Sequence, residues 1–298
     1  MGFKGFVIKI VKLLAKLYRR MPIKPFNLLL EKFYIGFINS GIVIKRIDGI
    51  NYELDLEEAI DNAMYYKGSR EPDTSQALKA LCKSGHTVID IGANVGSHSL
   101  PIASFVGVEG QVYAFEPVPW AVNKFKRNLE LNNINNITLE TIALSDINEQ
   151  EVEMSFRASF KLGSKSGVGE DGKIDGGWWD ECEHVKIRME TLDNYVSNHQ
   201  IDRIDLIKLD VDGFEGKVIR GALGTLSRFK PILIMEVAPT WTKMRGDNMM
   251  DILSKLKEIG YEFYSEKGFV RIKNISESID NLPSEGGFNV IASVSSLV

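Results

Sequence analysis

Cysteine is nearly absent from this 298-residue chain: Cys82 and Cys182 stand far apart, outside any C-x-x-C pair or histidine cluster. A disulfide scaffold and a structural zinc site are both disfavoured. Long apolar runs are missing as well. Lysines interrupt the apolar residues of the N-terminal stretch every few positions, and a bilayer-spanning helix needs about 20 apolar residues in succession. Positive charge is scarce outside that end. Residues 1–46 hold ten Lys/Arg and only Glu31, a balance of +9, so with −4 overall the remainder carries −13. A body this acidic repels phosphates, which disfavours nucleic acid as the partner.

Within the basic end, Phe3, Phe6, Val7, Ile10, Leu13, Leu14 and Leu17 recur at helical spacing, and Lys4, Lys9, Lys12, Lys16, Arg19 and Arg20 fill the other face. Two readings stay open: a helix lying on an anionic membrane surface, or one docked on its own domain or a second subunit. The start MGFKGF does not fit myristoylation, because Phe6 stands where Ser or Thr is required. The expected location is the cytoplasm, with peripheral contact at the inner face of the membrane through residues 3–20. Pro22 and Pro25 end this helix, a second helical stretch covers 26–40, and alternation over 42–56 predicts a short hairpin.

The pattern then changes. Apolar runs at Thr87–Ile91, Gln111–Phe115, Ile137–Ile142, Ile204–Leu209 and Ile232–Val237 are separated by helical stretches, which predicts a parallel sheet covered on both faces. The runs at Tyr261–Tyr264 and Phe288–Val294 lack a helical crossover and predict an antiparallel pair at the sheet's end. Residues 157–183, rich in glycine and holding Trp178 and Trp179, read as a long loop or hairpin inserted into the sheet. The chain thus divides into an extension, 1–64, and an α/β domain, 65–298.

The first strand of that domain runs into Asp90-Ile91-Gly92-Ala93-Asn94-Val95-Gly96, with a helix expected from near Ser97. Gly92 and Gly96 let backbone approach a ligand closely, and the helix start offers free N–H groups. A dinucleotide fingerprint would carry glycine where Asn94 and Ser97 stand, so the loop favours a nucleoside without phosphates. Asp90 is placed to meet an ammonium group. The second strand ends at Glu116-Pro117, the expected position for a carboxylate that accepts hydrogen bonds from ribose hydroxyls. After the third strand, Ala143-Leu144-Ser145-Asp146 lies where an adenine ring would sit; a plain loop is the alternative.

These segments resemble the FkbM family of S-adenosylmethionine-dependent methyltransferases. The likeness runs in order through VIDIGANVGSHSL, FEPVP with NLELNNINN, IALSD, METLDNY, IDLIKLDVDGFEGKVIRGA and PILIMEV, over about residues 65–237. It implies a Rossmann-like class I fold with a mostly parallel seven-stranded sheet and helices on both faces. It also implies S-adenosylmethionine as cofactor and methyl transfer to hydroxyls of sugars or polyketides, here a sugar, glycan or lipid-linked intermediate. Asp90, Gly92, Ala93, Asn94, Gly96, Glu116, Pro117, Ala143 and Glu71 are the cofactor candidates.

For catalysis, the fourth strand delivers Lys208, Asp210 and Asp212 to the ligand edge, alternation placing them on one side while the strand persists. Asp210 is the first candidate for base or acceptor-orienting group; a carboxylate paired with Lys208 or capping the next helix is the alternative. Glu236 is a candidate for orienting a substrate hydroxyl, and His98 an alternative base, although a structural place in its helix is favoured. Glu71 borders the methionine end or simply precedes a helix opened by Pro72. A calcium loop from Lys208 fails, for want of its first Asp and with Ile219 at the bidentate Glu position. Magnesium on Asp210 or Asp212 with Glu236 is less favoured than a metal-free site. Two further function classes remain: an NAD-dependent oxidoreductase or epimerase, and a non-catalytic membrane-associated binding protein on a methyltransferase fold.

Overall fold

The computed structural model describes residues 41–157, 182–283 and 286–297. The helices expected at 3–20 and 26–40, and the Gly-rich segment with Trp178 and Trp179 apart from its flanks, lie outside the described residues. The chain divides into two compact units.

The first unit carries the expected hairpin strands, β1 (Ile42–Ile47) and β2 (Ile50–Asp55), and α1 (Ala59–Lys67), while the turn at Asp48–Asn51 groups with the second unit. Asp61 accepts the Asp55 amide at 2.6 Å and Asn62 donates to the Leu56 carbonyl at 3.0 Å, so two buried polar side chains tie α1 to the exit of β2.

The second unit opens with α2 (Pro72–Leu81), β3 (Thr87–Ile91), α3 (Ser99–Val106), β4 (Gln111–Phe115), α4 (Pro119–Glu130) and β5 (Ile137–Glu140). It continues through β6 (Ala143–Leu144), β7 (Glu149–Arg157), β8 (Cys182–Glu190), α5 (Leu192–Asn198), β9 (Leu206–Leu209), α6 (Glu215–Arg220) and α7 (Leu223–Phe229). It closes with β10 (Ile232–Val237), α8 (Pro239–Met244), α9 (Met249–Glu258), β11 (Glu262–Ser265), α10 (Ile275–Asp280) and β12 (Phe288–Ser293).

Seven of these strands form one sheet in the order β11-β12-β10-β9-β3-β4-β5. Pairing is parallel from β10 through β5 and antiparallel where β12 meets β10 and β11. The late antiparallel pair is as the sequence predicts. Alternation along the strands sorts the core into two faces. Val88, Val112, Leu206 and Ile234 pack with Leu78, Ile102 and Val106 of α2 and α3. Ile89, Ile91, Ile207, Leu209 and Leu233 pack with Val196, Val218, Leu226 and Leu253 of the helices on the other side. These are helices on both faces of a mostly parallel sheet, the Rossmann-like arrangement.

Three details depart from the sequence reading. The third strand stops at Glu140, and Ala143–Leu144 joins β8 and β7 in a separate three-stranded sheet, where Ala143 pairs with Met189. The strands flanking the Gly-rich segment therefore belong to that smaller sheet. Finally, α3 begins at Ser99, because the left-handed Asn94 (φ 49) and Gly96 (φ 83) prolong the preceding turn and leave His98 ahead of the helix.

Candidate active site

Chain order reverses between β3 and β9: the strands after β3 run outward to one side through β4 and β5, and β9 then returns to the other side of β3. Ligands of open parallel sheets sit at the carboxyl ends of the strands beside such a reversal. Asp90 and Lys208 are register partners on the two strands, so their side chains leave the same face side by side. Lys208 Nζ lies 3.7 Å from Asp90 Oδ1 and 3.4 Å from Asp210 Oδ2. Burial by itself draws the lysine pKa down, but the carboxylates of Asp210, Asp90 and Glu71 outweigh it, and Lys208 is held charged above its ordinary value. Asp90 is fully buried; its Oδ2 accepts the Ser99 hydroxyl at 2.5 Å, while Oδ1 has no hydrogen-bond partner among the described residues.

The turn after β3 fits against β9. The Asp210 amide donates to the Ile91 carbonyl at 3.1 Å, and a Cβ on Gly92 (φ 81) would lie 1.8 Å from the Asp210 carbonyl oxygen. Only glycine fits there. Gly92 and Ala93 both donate to the Phe115 carbonyl at 3.0 Å, and Asn94 follows in the left-handed region. Gly96 faces the Phe125 ring of α4, 2.5 Å from where its Cβ would be.

Glu116 meets this loop from the end of β4. One carboxylate oxygen accepts the Asn94 amide and the other the Val118 amide, both at 2.8 Å. Burial raises its pKa to about 7, against the lowering effect of those two amides. Each oxygen keeps lone-pair capacity beyond its one amide. Half-buried Pro117 follows, and α4 starts at Pro119, where the missing N–H costs nothing.

β9 ends at Leu209, so strand alternation does not extend to Asp212, which is left-handed at φ 50. Glu71 and His98 meet directly, Oε2 to Nε2 at 3.0 Å, each just ahead of its helix. Glu236 lies within β10, opposite Asn289 of β12. Burial, then the neighbouring charges of Asp210, Glu215, Asp212 and Glu71, push its carboxyl up to about 8. Ala143 is half-buried in β6, paired with Met189 of β8. Among the described residues no three His, Cys, Asp or Glu side chains group as metal ligands.

Sequence reasoning missed two features. Glu215, the first residue of α6, is fully buried and its Oε1 accepts the amides of Val211 at 3.0 Å and Gly213 at 3.3 Å. Arg220, at the other end of α6, binds Asp146 at 2.8 Å and both carboxylate oxygens of Asp247, at 2.6 and 3.1 Å. It joins the loop after β6 to the segment before α9. A carboxylate just past a D-x-D-G turn is a signal for the first; the second, between residues distant in sequence, leaves none.

The family model described as Methyltransferase FkbM domain matches residues 90–263. The curated 2-O-methyltransferase NoeI of Sinorhizobium fredii is 27% identical over 181 residues, covering 55% of this chain and 70% of that protein. Methyltransferase 1 of Beauveria bassiana is 24% identical over 144 residues, covering 45% of this chain and 57% of that protein. The crystal structure of methyltransferase FkbM from Methylobacillus flagellatus is 15% identical with a TM-score of 0.42, over 79% of this chain and 52% of that one.

Proposed function

Because the chain belongs to the FkbM methyltransferase domain family, and is an S-adenosylmethionine-dependent methyltransferase, we propose that it methylates a hydroxyl of a sugar, glycan or lipid-linked intermediate. The observation that carries this reading is Asp210 at the strand reversal, paired at 3.4 Å with a buried, charged Lys208. Likeness to a protein named a 2-O-methyltransferase supports oxygen as the acceptor atom. The acidic edge made by Glu71, Asp210, Asp212, Glu215 and Glu236, the first four of which raise the proton affinity of Glu236, suits an uncharged acceptor and disfavours phosphate-bearing ones, nucleic acid included.

The residues present fit the cofactor. The buried Oδ1 of Asp90, which accepts no hydrogen bond among the described residues and has Lys208 at 3.7 Å, suits an ammonium group, and the remaining lone pairs of Glu116 suit ribose hydroxyls. Gly92, Ala93, Asn94 and Gly96 offer backbone to the ligand, Pro117 directs the chain away from it, and Ala143 borders the base. When bound, S-adenosylmethionine supplies an electrophilic methyl group on its sulfonium. Asp210 accepts the proton of the acceptor hydroxyl, with the Lys208 ammonium 3.4 Å from its carboxylate. Glu236, largely protonated near neutral pH, donates a hydrogen bond that orients the acceptor. His98, engaged with Glu71 through Nε2, borders the methionine end and is the second choice as base. The working domain is residues 65–298, with 1–64 as an extension that brings it to the inner face of the membrane. No described helix is long and apolar enough to cross a membrane.

The test is transfer of a deuterated methyl group from S-adenosylmethionine to cell-envelope extracts, followed by mass spectrometry of the products. Labelled methoxy groups should accumulate, and Asp210→Asn should slow their formation by about a hundredfold or more. Label confined to nitrogen or carbon would overturn the acceptor class.

A further inference from the structure

The turn between β9 and α6 has an unusual backbone. Asp212 (φ 50) and Gly213 (φ 94) are consecutive left-handed residues, a conformation that an aspartate adopts at a cost of about 1–2 kcal/mol. Upstream, Asp210 is fixed by its amide on Ile91 and by its carbonyl against the α-carbon of Gly92. Downstream, Gly213 packs against the Trp241 backbone, 2.7 Å from where its Cβ would be. The amides between these anchors converge on one atom, Oε1 of Glu215, which takes both Val211 and Gly213.

We infer that Glu215 is a positioning residue that clasps the 211–213 turn and so sets the direction of the Asp210 carboxylate at the acceptor; the inference rests on the role proposed above for Asp210. Two further facts support it. Glu215 is fully buried and its Oε2 has no hydrogen-bond partner among the described residues. A buried unpaired carboxylate oxygen is costly, and one acceptor atom would have been enough for a simple turn. The negative charge of Asp210 also raises the proton affinity of both Glu215 and Glu236, which places the clasp beside the acceptor edge.

The experiment compares the full chain with its Glu215→Gln, Glu215→Ala and Glu215→Asp variants by three measurements. These are amide hydrogen exchange at Val211 and Gly213, the carboxyl ¹³C titration of Asp210, and calorimetric binding of S-adenosylhomocysteine. Gln keeps the acceptor atom and removes the charge; Asp keeps the charge and withdraws it by one methylene. Positioning predicts wild-type-like exchange for Gln, and exchange faster on the order of tenfold at those two amides for Ala and Asp, with Asp210 titrating differently in Gln and Ala. Identical exchange and identical Asp210 titration in Gln and Ala overturn it. So does a rise in exchange spread through the domain in step with a lowered melting temperature. If Ala does not fold, Gln and Asp decide alone: wild-type-like Asp with a loosened Gln means that the charge, not the clasp, is what matters. Failure of the wild type to bind S-adenosylhomocysteine would fell the proposed function and leave the exchange comparison standing.

Discussion

Lys208 and Asp90 are paired in register on adjacent parallel strands and meet at 3.7 Å with both side chains buried. The carboxylates of Asp210, Asp90 and Glu71 hold the proton of this lysine. Removing one partner of a buried ion pair leaves the others uncompensated. Lys208→Met is therefore expected to lower unfolding free energy by about 3–5 kcal/mol, read from urea denaturation at pH 7. A change near zero would mean that water reaches these carboxylates.

Glu116→Ala is expected to weaken S-adenosylmethionine and S-adenosylhomocysteine binding by about tenfold or more, the scale of a lost hydrogen bond to a charged group. Calorimetry on both ligands, with NAD as the control that should not bind, checks it. Undiminished affinity would remove Glu116 from the ribose site.

Gly92→Ala places a methyl carbon 1.8 Å from a backbone oxygen of the neighbouring strand's exit and in a left-handed conformation. No rotamer relieves a backbone clash, so a loss of about 4 kcal/mol or more is expected, seen as insoluble expression or a collapsed melting transition. A stable, cofactor-binding Gly92→Ala protein would show that the two strand ends can part.

Glu236 holds its proton up to about pH 8, and Glu116 and Glu215 theirs up to about 7, all above the ordinary 4.5. The folded chain thus binds more protons than the unfolded chain between 4.5 and 8, and the stability that these groups contribute below 4.5 is lost as pH rises through that window. The melting temperature should fall between pH 5.5 and 8.5, and Glu236→Gln should flatten the fall. An unchanged slope in the variant would place the Glu236 carboxyl in solvent.

Charge reversal at Lys9, Lys12 and Lys16, argued from sequence alone, should abolish co-sedimentation with anionic vesicles. If sedimentation is unaffected, the basic end has another partner.

Period and punctuation made much of this molecule readable. The strands β3, β4, β9 and β10 lie where short apolar runs stood, and the glycines of the β3 turn mark where backbone passes backbone. The Lys208–Asp210 pairing was readable too, as the alternative weighed against Asp210 as base. What could not be read were contacts closed only by the tertiary fold. Glu71 and His98 were separate candidates, and nothing local tells that two helix starts bring them to 3.0 Å. Glu215 was passed over because its partners are amides, which every residue carries. Ala143–Leu144 read as a stretch after the third strand, a plain loop at its simplest, because a two-residue strand has no period of its own.

The small sheet of β6, β8 and β7 has an evolutionary consequence. The segment between β7 and β8 is rooted in strands that take no part in the seven-stranded sheet. Insertions, deletions and drift in that segment need not shift the register of Asp90 against Lys208 or the seating of Gly92. Descendants of such a chain can vary there while inheriting the seven-stranded sheet intact.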